Sequence, residues 1–487
     1  MALLAKTTTL LHKAHHMERI YMNSLLAVLV LVLAVQSAFP FSNLTDQSAL
    51  PAFKTAIKYD PNNALGNWTT RTNFCNWAGV SCSRRRQRVT ALRLQSMGLA
   101  GTISPHIGNF SFLRRLDLRN NSFHGFVTQN LTRLRPLTHL ILQYNLLEGE
   151  IPTSIQQCQK LRVMSLVSNR LVGTLSPCFG NLSNSEGFGL ENNHVYGKIP
   201  NELGHLKKLQ QIGFYENYLS GWIPPTLLNI STLEEVLLSM NSLSGNRPPN
   251  TGLWLPNLEM LDVQLNKLSG KIPLYLSNCS KLNELALAFN HFTGPVPRIF
   301  GNLGILERFS LLDNKLTLEQ GSSSISFLID MTNCSSLIYL VIVGNSLGGI
   351  IPESIGNLSS NLQYFDASRC QINGEIPKEI GSLKVNLLDL ADNNIQGTIP
   401  STIGEMKGLQ RLYLHGNELE GSIPDKIRHL SNLGEIYLQN NKLSGLIPHY
   451  TGNLSHLQRL FLSSNRLNSS IPSSLWSLEN PLNLDFF

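Results

Sequence analysis

An asparagine recurs along this chain at a nearly constant step of 24 residues, at Asn121, Asn145, Asn169, Asn193, Asn217, Asn241, Asn266, Asn290, Asn314, Asn345, Asn393, Asn417, Asn441 and Asn465. Met97 and Cys370 stand in the same slot of two further copies, which makes sixteen turns. A fixed short period over roughly four fifths of a chain is the mark of a solenoid, in which each unit buries its apolar side only against its neighbours. It overrides the two or three domains that 487 residues would otherwise suggest.

The copy LQRLYLHGNELEGSIP, Leu409 to Pro424, shows how one unit works. Leu409, Leu412 and Leu414 lie on a short strand and must be buried against the adjoining copies. Asn417 follows, and its amide can donate and accept at once, tying its own turn to the next in a ladder. Gly421 allows a tight bend, and Ile423-Pro424 adds one more buried group and a residue that ends pairing. Sixteen parallel strands about 4.8 Å apart give a concave wall on the order of 70 Å long, a size suited to an extended peptide or a protein surface.

The N-terminus carries an apolar run from Leu25 to Val35, with Arg19 before it and Ser37 and Ala38 after it. It reads as a secretory signal peptide and is too short for a membrane span. Residues 1–38 are therefore assigned to a leader and signal peptide, 39–88 to a cap and 89–487 to the solenoid. His12, His15 and His16 belong to that leader and not to a metal site, and Met17 or Met22 could serve as initiator. Twelve N-x-S/T sequons fit an exported chain: Asn43, Asn67, Asn109, Asn120, Asn130, Asn181, Asn229, Asn278, Asn333, Asn357, Asn453 and Asn468. Several sit just before a strand, where a glycan would project from the convex side or the flank.

In an exported chain, Cys75 and Cys82 read as a disulfide closing the cap. Cys158, Cys279 and Cys334 each stand eleven residues before their asparagine, where Leu206 stands in another turn, and read as buried thiols in place of leucine. Cys178 receives no role, and no metal or other cofactor is expected, because the equivalent cysteines fall on different rungs. The net charge is +7 with a pI near 9.0. Export argues against nucleic acid as partner, so Ser83-Arg84-Arg85-Arg86-Gln87-Arg88 is taken as a solvated loop.

Ser48 to about Lys58 reads as a helix, with Pro51 near its first turn and Leu50, Phe53 and Ile57 on one side. Leu65, Trp68, Phe74, Trp77 and Val80 then cover the open end of the solenoid. The run DQSALPAFKTAIKYDPNNALGNWTTRTNFCNWAGVSC, Asp46 to Cys82, resembles the N-terminal cap of plant leucine-rich-repeat receptor-like kinases and receptor-like proteins. The elements Gly149 to Pro152, Gly197 to Pro200, Gly270 to Pro273 and Gly445 to Pro448 resemble the plant-type repeat. Between Asn314 and Asn345 the step lengthens to 31 through LEQGSSSISFLIDMTNCSSL. That insertion resembles the enlarged repeat of the subgroup that perceives bacterial peptides in immunity. The resemblance implies an α/β-type solenoid, a right-handed leucine-rich-repeat superhelix with parallel strands on the concave face and a second short strand in each turn. No Gly-rich loop with V-A-I-K, no H-R-D and no D-F-G occurs in the sequence. The last residues, Leu482 to Phe487, read as the strand of a seventeenth turn, which points to a truncated gene product or an incomplete gene model.

Positions six, four, two and one before each asparagine are expected to face the concave side. Tyr413, Tyr437 and Phe461 fall in one column, flanked by Arg411, Glu435 and Arg459 in the next, with Tyr339 and Tyr364 taken to extend this patch upstream. Aromatic and arginine side chains dominate binding energy at interfaces, although a cross-strand stack that merely shelters the sheet would use the same residues. Gln211, Tyr215, Glu216, Glu235 and Met240 form a second candidate. His415 lacks the companions of a catalytic group and counts as a surface histidine. The leading reading is an extracellular module binding a peptide or protein, by resemblance the ectodomain of a plant defence receptor kinase, with a co-receptor kinase near the C-terminal repeats and a membrane link only through sequence outside this chain. The alternative is a soluble inhibitor or decoy, similar to polygalacturonase-inhibiting proteins. Sequencing the transcript past Phe487 separates them: the receptor reading expects a membrane span and kinase, whereas an immediate stop in several transcripts favours the soluble binder.

Overall fold

The computed structural model describes residues 43–246, 255–468, 471–478 and 482–486, together with Met22. Met22 aside, the expected leader and signal peptide, with its histidines, lies outside the described residues.

Among the described residues, seventeen parallel strands, from Val89–Arg93 and Arg115–Asp117 to Arg459–Phe461 and Asn483–Asp485, pair in one line, each with the strand of the turn before and the turn after. The register is one full repeat, as in Leu116 opposite Leu140 and Leu412 opposite Ile436. Every leucine row is thereby continuous, and one apolar core runs from Ala49 to Leu478. The short strand after each asparagine forms a second set of sheets beside the first, as with Ser122–Phe126, Leu146–Glu150 and Glu418–Gly421. Gly125, Gly149 and Gly421 take φ of 75°, 76° and 76°, so the bend in each turn sits where a side chain would be strained. The convex side consists of single 3-10 turns such as Ser401–Glu405.

The asparagines are the rungs of this ladder. Asn217 is 7% exposed, and its Nδ2 donates to the carbonyls of Phe214 in its own turn, at 3.2 Å, and Leu190 in the preceding one, at 3.0 Å. Its Oδ1 accepts from Val195 N at 3.0 Å. The same pattern holds at Asn145, Asn290 and Asn417. Cys370 keeps half of it: Sγ donates to Ile342 O at 3.1 Å, but a thiol has no oxygen to accept from Leu347 N–H. Burial in this slot pushes its thiol up to about 12. Cys158, Cys279 and Cys334 are fully buried, and burial pushes each thiol up to about 11.

The cap departs from the sequence reading in three ways. The helix runs Asn43–Lys54 rather than 48–58, and Lys58 lies in the strand Ile57–Tyr59, which pairs antiparallel with Ala100–Thr102. Pro51 sits in the helix interior and not in the first turn; it is on the exposed side, while Leu50 and Phe53 anchor the helix from the other. Arg88 is not part of a solvated loop. Its guanidinium is 3% exposed and forks onto Asp46 at 2.8 and 2.9 Å, and Asp46 also accepts from Val89 N at 2.8 Å. The fork clamps the first strand to the cap helix, while Arg84, Arg85 and Arg86 are exposed. Cys75 and Cys82 are joined by a disulfide.

The enlarged repeat leaves the concave sheet unbroken, with Arg308 opposite Tyr339, and takes up its extra length on the far side in a helix, Phe327–Met331. Phe327, Leu328 and Met331 of that helix are buried. The second sheet breaks there, with isolated bridges at Thr317–Ser346 and Ser324–Ile350.

Replacing Asn217 by alanine leaves the buried Val195 N–H without its acceptor, while the carbonyls of Leu190 and Phe214 each keep one donor from Asn193 and Asn241, and should lower unfolding stability by about 1–3 kcal/mol in chemical denaturation. Cys370→Asn should instead raise stability by about 1 kcal/mol, because it supplies the missing acceptor.

Candidate concave recognition face

The strand leucines point inward, so the residues between them line the concave wall, where alternation of the pleat fixes their columns. Tyr413, Tyr437 and Phe461 stand opposite one another on three adjacent strands. The rings of Tyr437 and Phe461 stack at 4.5 Å, and Tyr413 meets Tyr437 edge-on at 4.7 Å. The flanking column reads Arg411, Glu435, Arg459. Glu435 joins the two: its Oε1 accepts from Arg459 Nη1 at 2.6 Å, and its Oε2 accepts a short bond from the Tyr413 hydroxyl. Burial, together with that carboxylate, pushes the Tyr413 phenol up, so it stays a proton donor at neutral pH. Glu435 is therefore committed, whereas Arg411 is exposed beside the aromatic column and its guanidinium makes no ion pair or hydrogen bond among the described residues.

Tyr339 and Tyr364 are not part of this stack. They pair with each other, and their row continues through Leu387, which is 3% exposed, to Arg411, so they extend the charged column and not the aromatic one. Their rings lie 6.0 Å apart, with Arg308 over Tyr339 at 5.4 Å. Upstream of Tyr413 the aromatic column holds Asp389 and Asp366, directly opposite each other. Burial and then the facing Asp366 push the Asp389 carboxyl up to about 7, and burial raises Asp366 as well. His415 lies 6.4 Å from the Tyr413 ring and 6.0 Å from that of Tyr437; burial lowers its pKa, and its Nδ1 is buried with no hydrogen-bond partner. Sequence reasoning passed over this acidic pair, although counting back from Cys370 and Asn393 places both carboxylates in the aromatic column.

In the second candidate patch, Gln211 faces Glu235 across adjacent strands, Glu216 is exposed, and burial raises the Tyr215 phenol. Met240 is 47% exposed. Among the described residues there is no group of three side chains able to hold a metal ion, and no helix is long and apolar enough to cross a membrane.

Six sequon asparagines, at 109, 181, 229, 278, 357 and 453, each end a convex 3-10 turn. Asn120 differs. It immediately precedes a ladder asparagine, at φ 54°, on the rim of the concave wall, and its amide donates to Ser96 Oγ at 3.0 Å. The Asn67 amide is engaged inside the cap, accepting from Ala78 N at 3.0 Å.

The profile of the leucine-rich-repeat N-terminal domain matches residues 43–83, and leucine-rich-repeat profiles match 111–171, 336–358, 361–383, 384–443 and 456–478. The plant peptide hormone receptor RGFR1, solved in complex with RGF2, superposes with a TM-score of 0.68 at 31% identity over 85% of this chain and 75% of that one. The chain belongs to the plant leucine-rich-repeat receptor ectodomains. The Arabidopsis receptor kinase HAESA, solved with the peptide hormone IDA and the co-receptor SERK1, gives a TM-score of 0.50 at 26% identity, covering 90% of this chain and 93% of that one. The LRR receptor-like serine/threonine-protein kinase EFR of Arabidopsis thaliana is 44% identical over 107 residues, 22% of this ectodomain and 10% of EFR. The match thus spans a small part of that kinase. What the ectodomain matches in these solved structures is a non-catalytic repeat module.

An aspartate raised in the fold binds its proton more tightly there than in the unfolded chain, so the folded form holds extra protons between the unfolded value, near 4, and about 7. Stability should therefore fall as pH rises through that window. Thermal melts at pH 5 and pH 7.5 should show the lower midpoint at pH 7.5, and Asp389→Asn should shrink the difference.

Proposed function

We propose that this ectodomain recognises a peptide or protein ligand on its concave wall, as the extracellular part of a plant receptor kinase acting in defence. The observation that carries the reading is the half-exposed column Tyr413–Tyr437–Phe461 beside the free Arg411 and the Glu435–Arg459 pair. Aromatic rings held in a row by the sheet bury large area at little further entropy cost, and arginine adds directional hydrogen bonds. A purely sheltering stack has no need of an unpaired arginine next to it. The peptide bound to RGFR1 and the peptide with co-receptor bound to HAESA support peptide ligands as the class. The likeness to the receptor-like kinase EFR supports the receptor-kinase assignment, and the enlarged repeat between Asn314 and Asn345 is the feature that favours defence.

In this reading the chain works outside the cell or at the outer face of the plasma membrane. A co-receptor kinase would dock near the C-terminal repeats, close enough to the aromatic column for a bound ligand to touch both partners. Signalling then depends on kinase sequence outside this chain.

The test is a binding screen of the secreted ectodomain against microbial peptides, followed by the Tyr413→Ala/Tyr437→Ala variant. The hit should lose at least about a hundredfold in affinity with an unchanged melting temperature, as expected for two central anchors. Full affinity in the variant removes this column from the binding surface.

A further inference from the structure

The residue just before each ladder asparagine adopts the left-handed backbone conformation, with φ of 54° at Met240, 54° at Leu265 and 51° at Phe289. A side chain with a Cβ costs about 1 kcal/mol or more in this region. Most other turns place serine, asparagine, aspartate or glycine here, as at Ser168, Asn192, Asp313 and Gly416, and Tyr144, Glu216 and Arg369 hold the slot singly elsewhere. These three consecutive turns instead carry large apolar side chains that are 47%, 42% and 41% exposed. Neither backbone preference nor core packing accounts for them.

The wall beside this ridge has an unusual charge. In the five turns closing at Asn193 to Asn290, the concave positions carry Glu191, Glu216, Glu235, Asp262 and Glu284 and no lysine or arginine, in a chain whose net charge is +7. Glu235, Met260 and Glu284 face one another along one row, and Leu237, Asp262 and Ala286 along the next. The carboxylates feel one another. Burial and then Glu235 push Glu191 up to about 7, and Asp262 adds to the rise at Glu284. The nearest concave cation is Arg308 in the following turn, 3.6 Å from Glu284. Gly189 and Gly213 leave room for the Glu191 side chain to lie flat over both, with its Oε2 buried and unpartnered. The five strands span about 19 Å, the length of roughly six extended residues.

Resting on the reading of the concave wall as the ligand surface, we propose that these turns form a second docking groove, distinct from the aromatic column, for an extended basic peptide segment. Its lysine or arginine side chains meet Glu235, Asp262 and Glu284, and its apolar residues lie on the ridge of Met240, Leu265 and Phe289. Charge complementarity selects the occupant: with Glu191 raised to about 7 and Glu284 beside Arg308, Glu216, Glu235 and Asp262 still leave the wall negative, so it repels an acidic peptide and attracts a basic one. The ridge supplies the desolvated contact that charge pairs at an open surface lack.

Two labelled synthetic dodecapeptides serve as probes, identical in their apolar positions, one with lysine and one with glutamate at the alternate sites. Fluorescence anisotropy with the secreted chain should show the lysine peptide binding at least about tenfold more tightly. The combined variant Glu235→Gln, Asp262→Asn and Glu284→Gln should abolish that preference. Leu265→Gly with Phe289→Gly should weaken the lysine peptide by about tenfold or more without lowering the melting temperature, because glycine relieves the left-handed backbone. The Tyr413→Ala/Tyr437→Ala variant should bind the lysine peptide as the parent does, so failure at the aromatic column and failure here are read separately. Equal affinity for the two peptides, binding untouched by the acidic and ridge variants, or loss of lysine-peptide binding in the tyrosine variant would overturn the proposal.

Discussion

The structure depends on one repeated interaction, the buried asparagine amide that bonds to carbonyls of its own and the preceding turn and to one N–H. A solenoid coil must turn away from its strand after three residues, and the backbone groups exposed at that corner would be buried unpaired by the next coil. The amide answers both sides at once. Leucine rows alone would drive collapse, but they would not hold successive turns to a common register. The amide fixes the register, and the register aligns every column on the outside.

This division of labour separates scaffold from surface. Leucines and asparagines absorb the folding requirements, so the positions between them are free to vary, and the concave wall carries chemistry the core does not need. Its charge is unevenly distributed: acidic in the middle turns, with Asp366 against Asp389 further on, and aromatic with arginines toward the C-terminal end. Tyr413 draws its orientation from Glu435, while Arg411 and the Met240, Leu265 and Phe289 side chains are left uncommitted. Uncommitted groups on a rigid wall are what a ligand can use at little ordering cost.

Much of this could be read directly from the sequence, because the period is a physical repeat distance and a column is found by counting. The strand positions, the ladder, the buried thiols and the aromatic stack all follow from that count. Counting failed where it was applied loosely. Tyr339 and Tyr364 sit six residues before their markers, not four, and so belong to the charged column. The cap lacks a period, which is why the helix limits and the interior place of Pro51 were misjudged. Arg88 looked like the end of a basic run, since nothing in its neighbours reveals that Asp46, 42 residues earlier, neutralises it. The left-handed residue before each asparagine was equally hidden, because its occupants range from serine to phenylalanine.

Hydrogen–deuterium exchange of the purified ectodomain, with and without a captured ligand, tests the account most directly. Added protection should fall on concave strands and their loops, within 187–290 or 411–461, and leave the convex 3-10 turns unchanged. Protection confined to the convex turns, or to the second short strands, would contradict it.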